Sequence, residues 1–400
     1  MSLLTWIFFA VLLFIFFVYL DFALGRRSHI KNLAKKRFPS RKSDVLVYTS
    51  GPQLFQNLFK DVDKAKHHVH LLFYIVRNDD FGSEFVDLLM KKVQEGVKVR
   101  LLLDWIGSFR FSRKTIKLLQ KKGVHVAFCH TPRFPFFLYK LQSRNHRKIT
   151  VIDGEIGYLG GFNVGREYIN EDDVLSPWRD CHVRFVGEGV KDLQDQFLID
   201  WLEATGKDLT ALVDYYPPLY AGRVDHRFYA SEGVELEDTY CRLLRQAKKE
   251  IFIGTPYFVP GKKVFHELLT ALKRGVKLTI IVPKKQDHIF VQEASFRYFR
   301  KLVKNGAVVF QYENGFYHAK LIIIDDFVCS IGTANFDMRS LYLNHEMNSF
   351  FRDQKFIEQM KAIVAKDISK SVQMPEKLLF GFHPWRKLKE LIAIIISPLL

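Results

Sequence analysis

Apolar residues run without a charge from Leu3 to Leu20, 18 positions that as a helix reach roughly 27 Å at about 1.5 Å per residue, close to the hydrocarbon thickness of a bilayer. The pattern predicts a transmembrane anchor over 1–24. No basic stretch precedes the run and no small-x-small cleavage site follows it, so a removable leader fits less well. Arg26, Arg27, Lys31, Lys35, Lys36, Arg37, Arg41 and Lys42 follow, and no charged side chain precedes the apolar run. This asymmetry predicts a basic juxtamembrane linker over 25–43 and places the rest of the chain on the cytoplasmic side.

Beyond the linker the pattern repeats. VDKAKHHVHLLFYIV (62–76) is matched by LRQAKKEIFIGTPYF (244–258), VQEGVKVRLLLD (93–104) by LKRGVKLTIIVP (272–283), and LLQKKGVHVAF (118–128) by KLVKNGAVVFQ (301–311). Each pair reads as a helix end followed by a β-branched, buried strand, with a glycine at the turn in the second and third pairs. The order argues for an α/β fold of two similar domains, over 44–215 and 216–375, meeting in the proline-rich DYYPPLYAG (214–222). Two segments lie outside the repeat. TPRFPFFLYK (131–140) is either ordinary core or a loop that dips into the bilayer. The tail over 376–400, with PWRKLKELIAIIISPLL, suits an interfacial helix or packing on the second domain, and is too short to span.

A formal charge of +17 implies an anionic partner, either nucleic acid or an anionic membrane surface. The four cysteines are far apart and form no CxxC pair, so no zinc ribbon or disulfide framework is expected. There is no Asn-x-Ser/Thr acceptor, which disfavours a glycosylated lumenal protein.

The chemistry lies in a duplicated stretch. HRKITVID (146–153) and HAKLIIID (318–325) stand 172 positions apart, and in both the histidine precedes an asparagine by 17 residues, Asn163 and Asn335. On an extended strand positions i and i+2 share a face, so His146 with Lys148, and His318 with Lys320, point together. One such pattern is weak, but two with matched asparagines need a functional cause. With no acidic metal cluster or Gly-rich nucleotide loop in the sequence, the cationic and neutral donors suit a phosphate already joined to an organic group. One histidine can attack phosphorus while the other protonates the departing alcohol; no metal or other cofactor is expected.

NHRKITVIDGEIGYLGGFNVGREY (145–168), SPWRD (176–180), TPYFVP (255–260), FYHAKLIIIDD (316–326) and GTANFDMRSLYLNHE (332–346) resemble the phospholipase D superfamily, and more narrowly the bacterial cardiolipin synthases of the short, single-span kind. The resemblance covers residue 44 to the end and implies two α-β-α sandwich domains forming an intrachain pseudo-dimer. It implies a catalytic set of His146, Lys148, Asp153, His318, Lys320 and Asp325, with His146 the nucleophile and His318 the general acid and base. Lys148, Lys320, Asn163 and Asn335 would bind the phosphate oxygens. Asp180 and Glu346, each about thirty residues after the histidine of its own copy, would orient that imidazole. Asp153 and Asp325, five positions beyond the lysines, are expected to support the strand ends. Ser340 and Arg339 match the pattern with no role assigned. The implied reaction moves a phosphatidyl group between two phosphatidylglycerol molecules on an anionic bilayer, giving cardiolipin and glycerol, with no nucleic-acid partner. A phospholipase D-type hydrolase, another phosphatidyltransferase such as a phosphatidylserine synthase, and a membrane-anchored nuclease are the alternatives.

Overall fold

Helices of the repeat end where the backbone must turn left-handed. Gly96 and Gly275, counterparts in the two halves, sit at φ +89° and +85°, a conformation that costs glycine nothing, and each leads from an amphipathic helix into a buried strand. The structure, a computed structural model, describes residues 2–33, 36–287, 290–381 and 384–396.

The first half contains α1 (Leu3–Asn32), β1 (Ser40–Ser50), α2 (Gly51–Asp63), β2 (His68–Phe73), α3 (Asp80–Gln94), β3 (Lys98–Asp104), α4 (Arg113–Lys121), β4 (His125–Cys129), α5 (Phe137–Gln142), β5 (Ile149–Ile152), β6 (Ile156–Gly160), β7 (Trp178–Gly187) and α6 (Gly189–Thr205). The strands of the second are β8 (Val224–Glu232), β9 (Glu250–Gly254), β10 (Phe258–Val259), β11 (Lys277–Pro283), β12 (Val308–Tyr312), β13 (Phe316–Tyr317), β14 (Leu321–Ile324), β15 (Val328–Gly332), β16 (Phe336–Asp337), β17 (His345–Phe351) and β18 (Ser371–Gln373). In the first half β2, β3 and β4 are parallel, β5 returns antiparallel beside β2, and β6 and β7 follow. The second half repeats this order with β9, β11, β12, β14, β15 and β17.

The halves share one sheet, because β1 pairs with β7 on one side and β8 on the other, and β8 pairs with β17. Helix α6 and the helix Gln354–Ser369 cover one face, where Phe197, Phe185, Phe351 and Met360 belong to a core common to both halves. The other face carries a separate core in each half, under α2 to α4 and under the helices Leu236–Gln246, Lys262–Lys273 and Val291–Lys304. Each half is thus an α-β-α sandwich, and the two make an intrachain pseudo-dimer.

The N-terminal region departs from the expected division at residues 24 and 43. Helix α1 is long and apolar enough to cross a membrane and is exposed along its apolar stretch, but it runs on through the basic residues to Asn32. Its basic end docks on the body: Arg26 Nη1 donates to the Tyr342 carbonyl at 2.5 Å, and His29 Nε2 lies 2.8 Å from the Glu232 carbonyl. Gly25 permits this approach, since a Cβ there would stand 2.7 Å from Tyr139 Cβ. Arg41 and Lys42 belong to β1, and Arg41 pairs with Asp192 at 2.9 Å. Packing and ion pairs therefore order most of what its charge suggested was a linker; Lys35 lies outside the described residues.

Segment 131–140 divides between the two readings given for it. Tyr139 is buried against α1, where its N–H donates to Asp21 at 2.7 Å, whereas Phe134 is 83% exposed. The tail helix Pro384–Ile396 also has two faces. Glu390 pairs with Arg300 and the Arg386 guanidinium lies 4.8 Å over Phe296, while Trp385, Leu388 and Leu391 face outward. Residues 397–400 lie outside the described residues.

Candidate active site

The strands β5 and β14 begin one residue after each lysine, so the histidines and lysines occupy extended lead-ins and not the strands themselves. The lead-ins pair across the halves. His146 N–H donates to the His345 carbonyl at 2.9 Å, and His345 N–H donates to the Arg144 carbonyl at 2.8 Å. In the other copy His318 N–H donates to the Arg179 carbonyl at 2.7 Å, continuing the parallel pairing of β13 with β7.

The residues contacted, His345 and Arg179, are those just before Glu346 and Asp180. The backbone pairing therefore delivers each carboxylate to the histidine of the opposite half, which corrects the same-copy assignment drawn from spacing. His146 Nδ1 lies 3.0 and 3.2 Å from the Glu346 carboxylate oxygens, and His318 Nδ1 lies 2.5 Å from Asp180. Trp178 packs at a tilt against His318 with ring centroids 4.8 Å apart, and Tyr74 meets His146 edge-on at 5.0 Å.

Burial lowers both imidazole pKa values, that of His318 to about 3 with the help of the Lys320 ammonium. Burial acts in the opposite direction on the carboxylates but is outweighed. Lys320 and His318 bring Asp180 down to about 2, and His146 and Lys148 lower Glu346. Neutral histidines beside ionised carboxylates must donate Nδ1–H to them, leaving a lone pair on Nε2. Both rings line one cavity of about 970 Å³. The lysines are fully buried, and desolvation lowers both pKa values, most strongly for Lys148. Lys148 Nζ donates to the His146 carbonyl at 2.7 Å and lies 5.2 Å over the Tyr74 ring, whereas Lys320 Nζ is 3.2 Å from Asp180. An anion entering the cavity would favour the charged form of both.

Asn163 and Asn335 line the same cavity. The Asn163 side-chain carbonyl accepts from Ile75 N–H at 3.0 Å and its amide donates to Tyr168 at 3.2 Å, while Asn335 Oδ1 is buried with no partner among the described residues. Asp153 and Asp325 are not brought into the cluster. Held at φ +52° and +49° after β5 and β14, they each accept three backbone N–H groups at 2.8 Å, from residues 66–68 and 248–250.

Two hydroxyls escaped the sequence reading of the site. Thr333 donates to Glu346 Oε2 at 2.6 Å and Ser340 to Oε1 at 2.8 Å, so Ser340, matched without a role, holds the carboxylate that holds His146. The counterpart of Thr333 is Gly161, whose Cβ would lie 2.2 Å from an Asp180 oxygen. That difference in the glycine-glycine and glycine-threonine pairs was the only sequence signal for it. Arg339 also lines the cavity and donates to the Gln142 side chain and carbonyl at 2.8 Å.

A family model described as "Cardiolipin synthase, PLD-like domain" matches residues 58–175 and 240–368, one stretch in each half. The chain belongs to this family. It is 41% identical over 361 residues to the minor cardiolipin synthase ClsB of Bacillus subtilis, covering 90% of both proteins. A cardiolipin synthase of Oceanobacillus iheyensis is 39% identical, over 93% of this chain and 78% of the relative. Of solved structures, phosphatidylserine synthase of Haemophilus influenzae aligns with 94% of the chain and all of its own length at a TM-score of 0.71 and 15% identity, a likeness of fold. In the family's terms the two matched stretches are the two sandwiches, and the cavity between their histidines belongs to neither alone.

Proposed function

We propose that this member of the cardiolipin synthase family transfers the phosphatidyl group of one phosphatidylglycerol to the glycerol hydroxyl of another, through a phosphatidyl-histidine. The observation that carries the reading is the pair of histidines lining one cavity, each with a carboxylate against its Nδ1. His146 Nε2 attacks phosphorus and the bond to glycerol oxygen breaks, with His318 supplying its proton. His318 then takes the proton from the second glycerol hydroxyl, whose oxygen displaces His146. Lys148, Lys320 and the two asparagines would hold the non-bridging oxygens, where charge builds in the five-coordinate transition state. Neutral His318 must gain a proton before the first step, and the phosphodiester's own negative charge favours that gain.

Family membership supports the choice of product, since the relatives named above are cardiolipin synthases. Helix α1 and the outward Trp385, Leu388 and Leu391 would keep the cavity at the bilayer, and the basic residues of α1 favour a cytoplasmic body. The test supplies labelled phosphatidylglycerol as sole substrate in mixed micelles. Cardiolipin with one equivalent of glycerol is expected, and phosphatidate as the only product would overturn the reading. His318→Ala given a substrate with a good leaving group should accumulate the adduct on His146; an adduct on His318 in His146→Ala would reverse the roles.

A further inference from the structure

A second cavity, of about 730 Å³, lies behind the His146–Glu346 pair and shares no lining residue with the first. His345 projects into it from β17, 1% exposed, with neither ring nitrogen hydrogen-bonded among the described residues. His130 meets it edge-on with ring centroids 4.2 Å apart. His130 Nδ1 is fixed by the Ser143 carbonyl at 3.0 Å, and its buried Nε2 has no partner among the described residues. Three orphaned imidazole nitrogens in one place are costly, at about 1–3 kcal/mol each in general, and call for a ligand. His130 is also held at φ +53°, a strained region for a histidine.

Glu203, on α6, completes the group: one donor atom from each of His130, Glu203 and His345 lies within 4.8 Å of the others. Two imidazoles and one carboxylate are a donor set typical of zinc with an open position for water. Ligands about 2.0–2.1 Å from a tetrahedral ion stand roughly 3.4 Å apart, so binding draws the three inward by at most about 1.5 Å, within the reach of side-chain rotation. Of the nearby cations Arg144 is paired with Asp104 at 3.2 Å and Arg147 with Asp200 at 2.5 Å, while Arg133 and Lys140 line the cavity and add a repulsion that the three ligands must offset. Glu232 also borders the cavity, and its backbone carbonyl holds His29.

We propose that His130, Glu203 and His345 bind one divalent transition-metal ion of the zinc class, completed by water, which clamps the two halves together behind the active site. His130 and Glu203 belong to the first half and His345 to the second, and His345 precedes Glu346, so the ion would hold the strand that orients His146.

Full-length protein in detergent, stripped by a chelator, is titrated with Zn²⁺ against a competing chelator. One equivalent is expected, with the dissociation constant rising roughly a hundredfold or more in His130→Ala and Glu203→Gln, since even outer-shell partners of metal ligands are worth about 10–100-fold. A His146→Ala, His318→Ala double variant should bind like wild type. Zn²⁺ should raise the Tm of wild type and leave that of Glu203→Gln unmoved. Glu203→Gln preserves side-chain shape at the open rim, so a folding failure does not mimic the loss. Failure of wild type to bind an equivalent, wild-type affinity in both single variants, or loss of binding in the catalytic double variant overturns the site.

Discussion

The crossed carboxylates can be tested by Glu346→Gln. In the proposed mechanism His146 becomes cationic on attacking phosphorus, and the Glu346 carboxylate lies 3.0 Å from its Nδ1. Opposite unit charges at about 3 Å attract by about 5 kcal/mol at an effective dielectric near 20. A neutral amide retains about 1 kcal/mol of hydrogen bonding. The remaining loss of about 4 kcal/mol is roughly a thousandfold in the rate of attack. The assay is single-turnover formation of the phosphatidyl-enzyme, with phosphatidylglycerol and with an analogue whose leaving group needs no protonation. Glu346→Gln should be slow with both, because the nucleophile itself is impaired. Asp180→Asn impairs the proton donor His318, so the analogue should restore most of its first-step rate. If each carboxylate served the histidine of its own copy, the two variants would exchange these patterns. A Glu346→Gln rate within tenfold of wild type on either substrate refutes the electrostatic argument.

Gly161→Ala places a methyl about 2.2 Å from Asp180 and should cut phosphatidyl transfer at least tenfold, at a cost in stability of about 1–3 kcal/mol; full activity would show that Asp180 need not be held. Asp153→Ala and Asp325→Ala each free three backbone N–H groups, so thermal melts should show a loss of about 3 kcal/mol. Their kcat per folded molecule should stay within about threefold, unless the aspartates take part in the chemistry. His68 and His226, with pKa values of about 4, and His182, about 3, are depressed by burial below the unfolded value of 6.5. The unfolded chain then binds more protons in acid, so this stability is whole above pH 6.5 and is lost as pH falls toward 4. Urea melts at pH 7 and pH 5.5 should differ by about 4 kcal/mol from these three groups together; equal midpoints would refute it.

Much of the fold was legible because its determinants are local. Gly96 and Gly275 mark helix ends, the apolar stretches after them are buried strands, and equal spacing of His146 to Asn163 and His318 to Asn335 exposes the duplication. The crossed pairing was not legible, because the carboxylate at the matching place after each histidine in sequence belongs to the same copy, and only the sheet seam decides which one arrives. Basic residues read as linker or as helix alike. The docking of Arg26 and His29 on the body depends on carbonyls more than 200 positions away. Ser340 matched the family pattern without a role and Thr333 carried no signal beyond its difference from Gly161; both acquire meaning only when Glu346 is seen to need two donors.

The pairing of His146 with Glu346 and of His318 with Asp180 also constrains how such a chain can change over generations. After duplication, two copies are ordinarily free to drift apart, one keeping the chemistry while the other decays. Under the proposed mechanism each copy holds the nucleophile or acid that the other's carboxylate serves, so a loss in either would disable both. Substitutions should therefore be correlated between positions 146 and 346, and between 180 and 318, more strongly than between the matched positions of the repeat, and two separately expressed halves should regain turnover only when mixed.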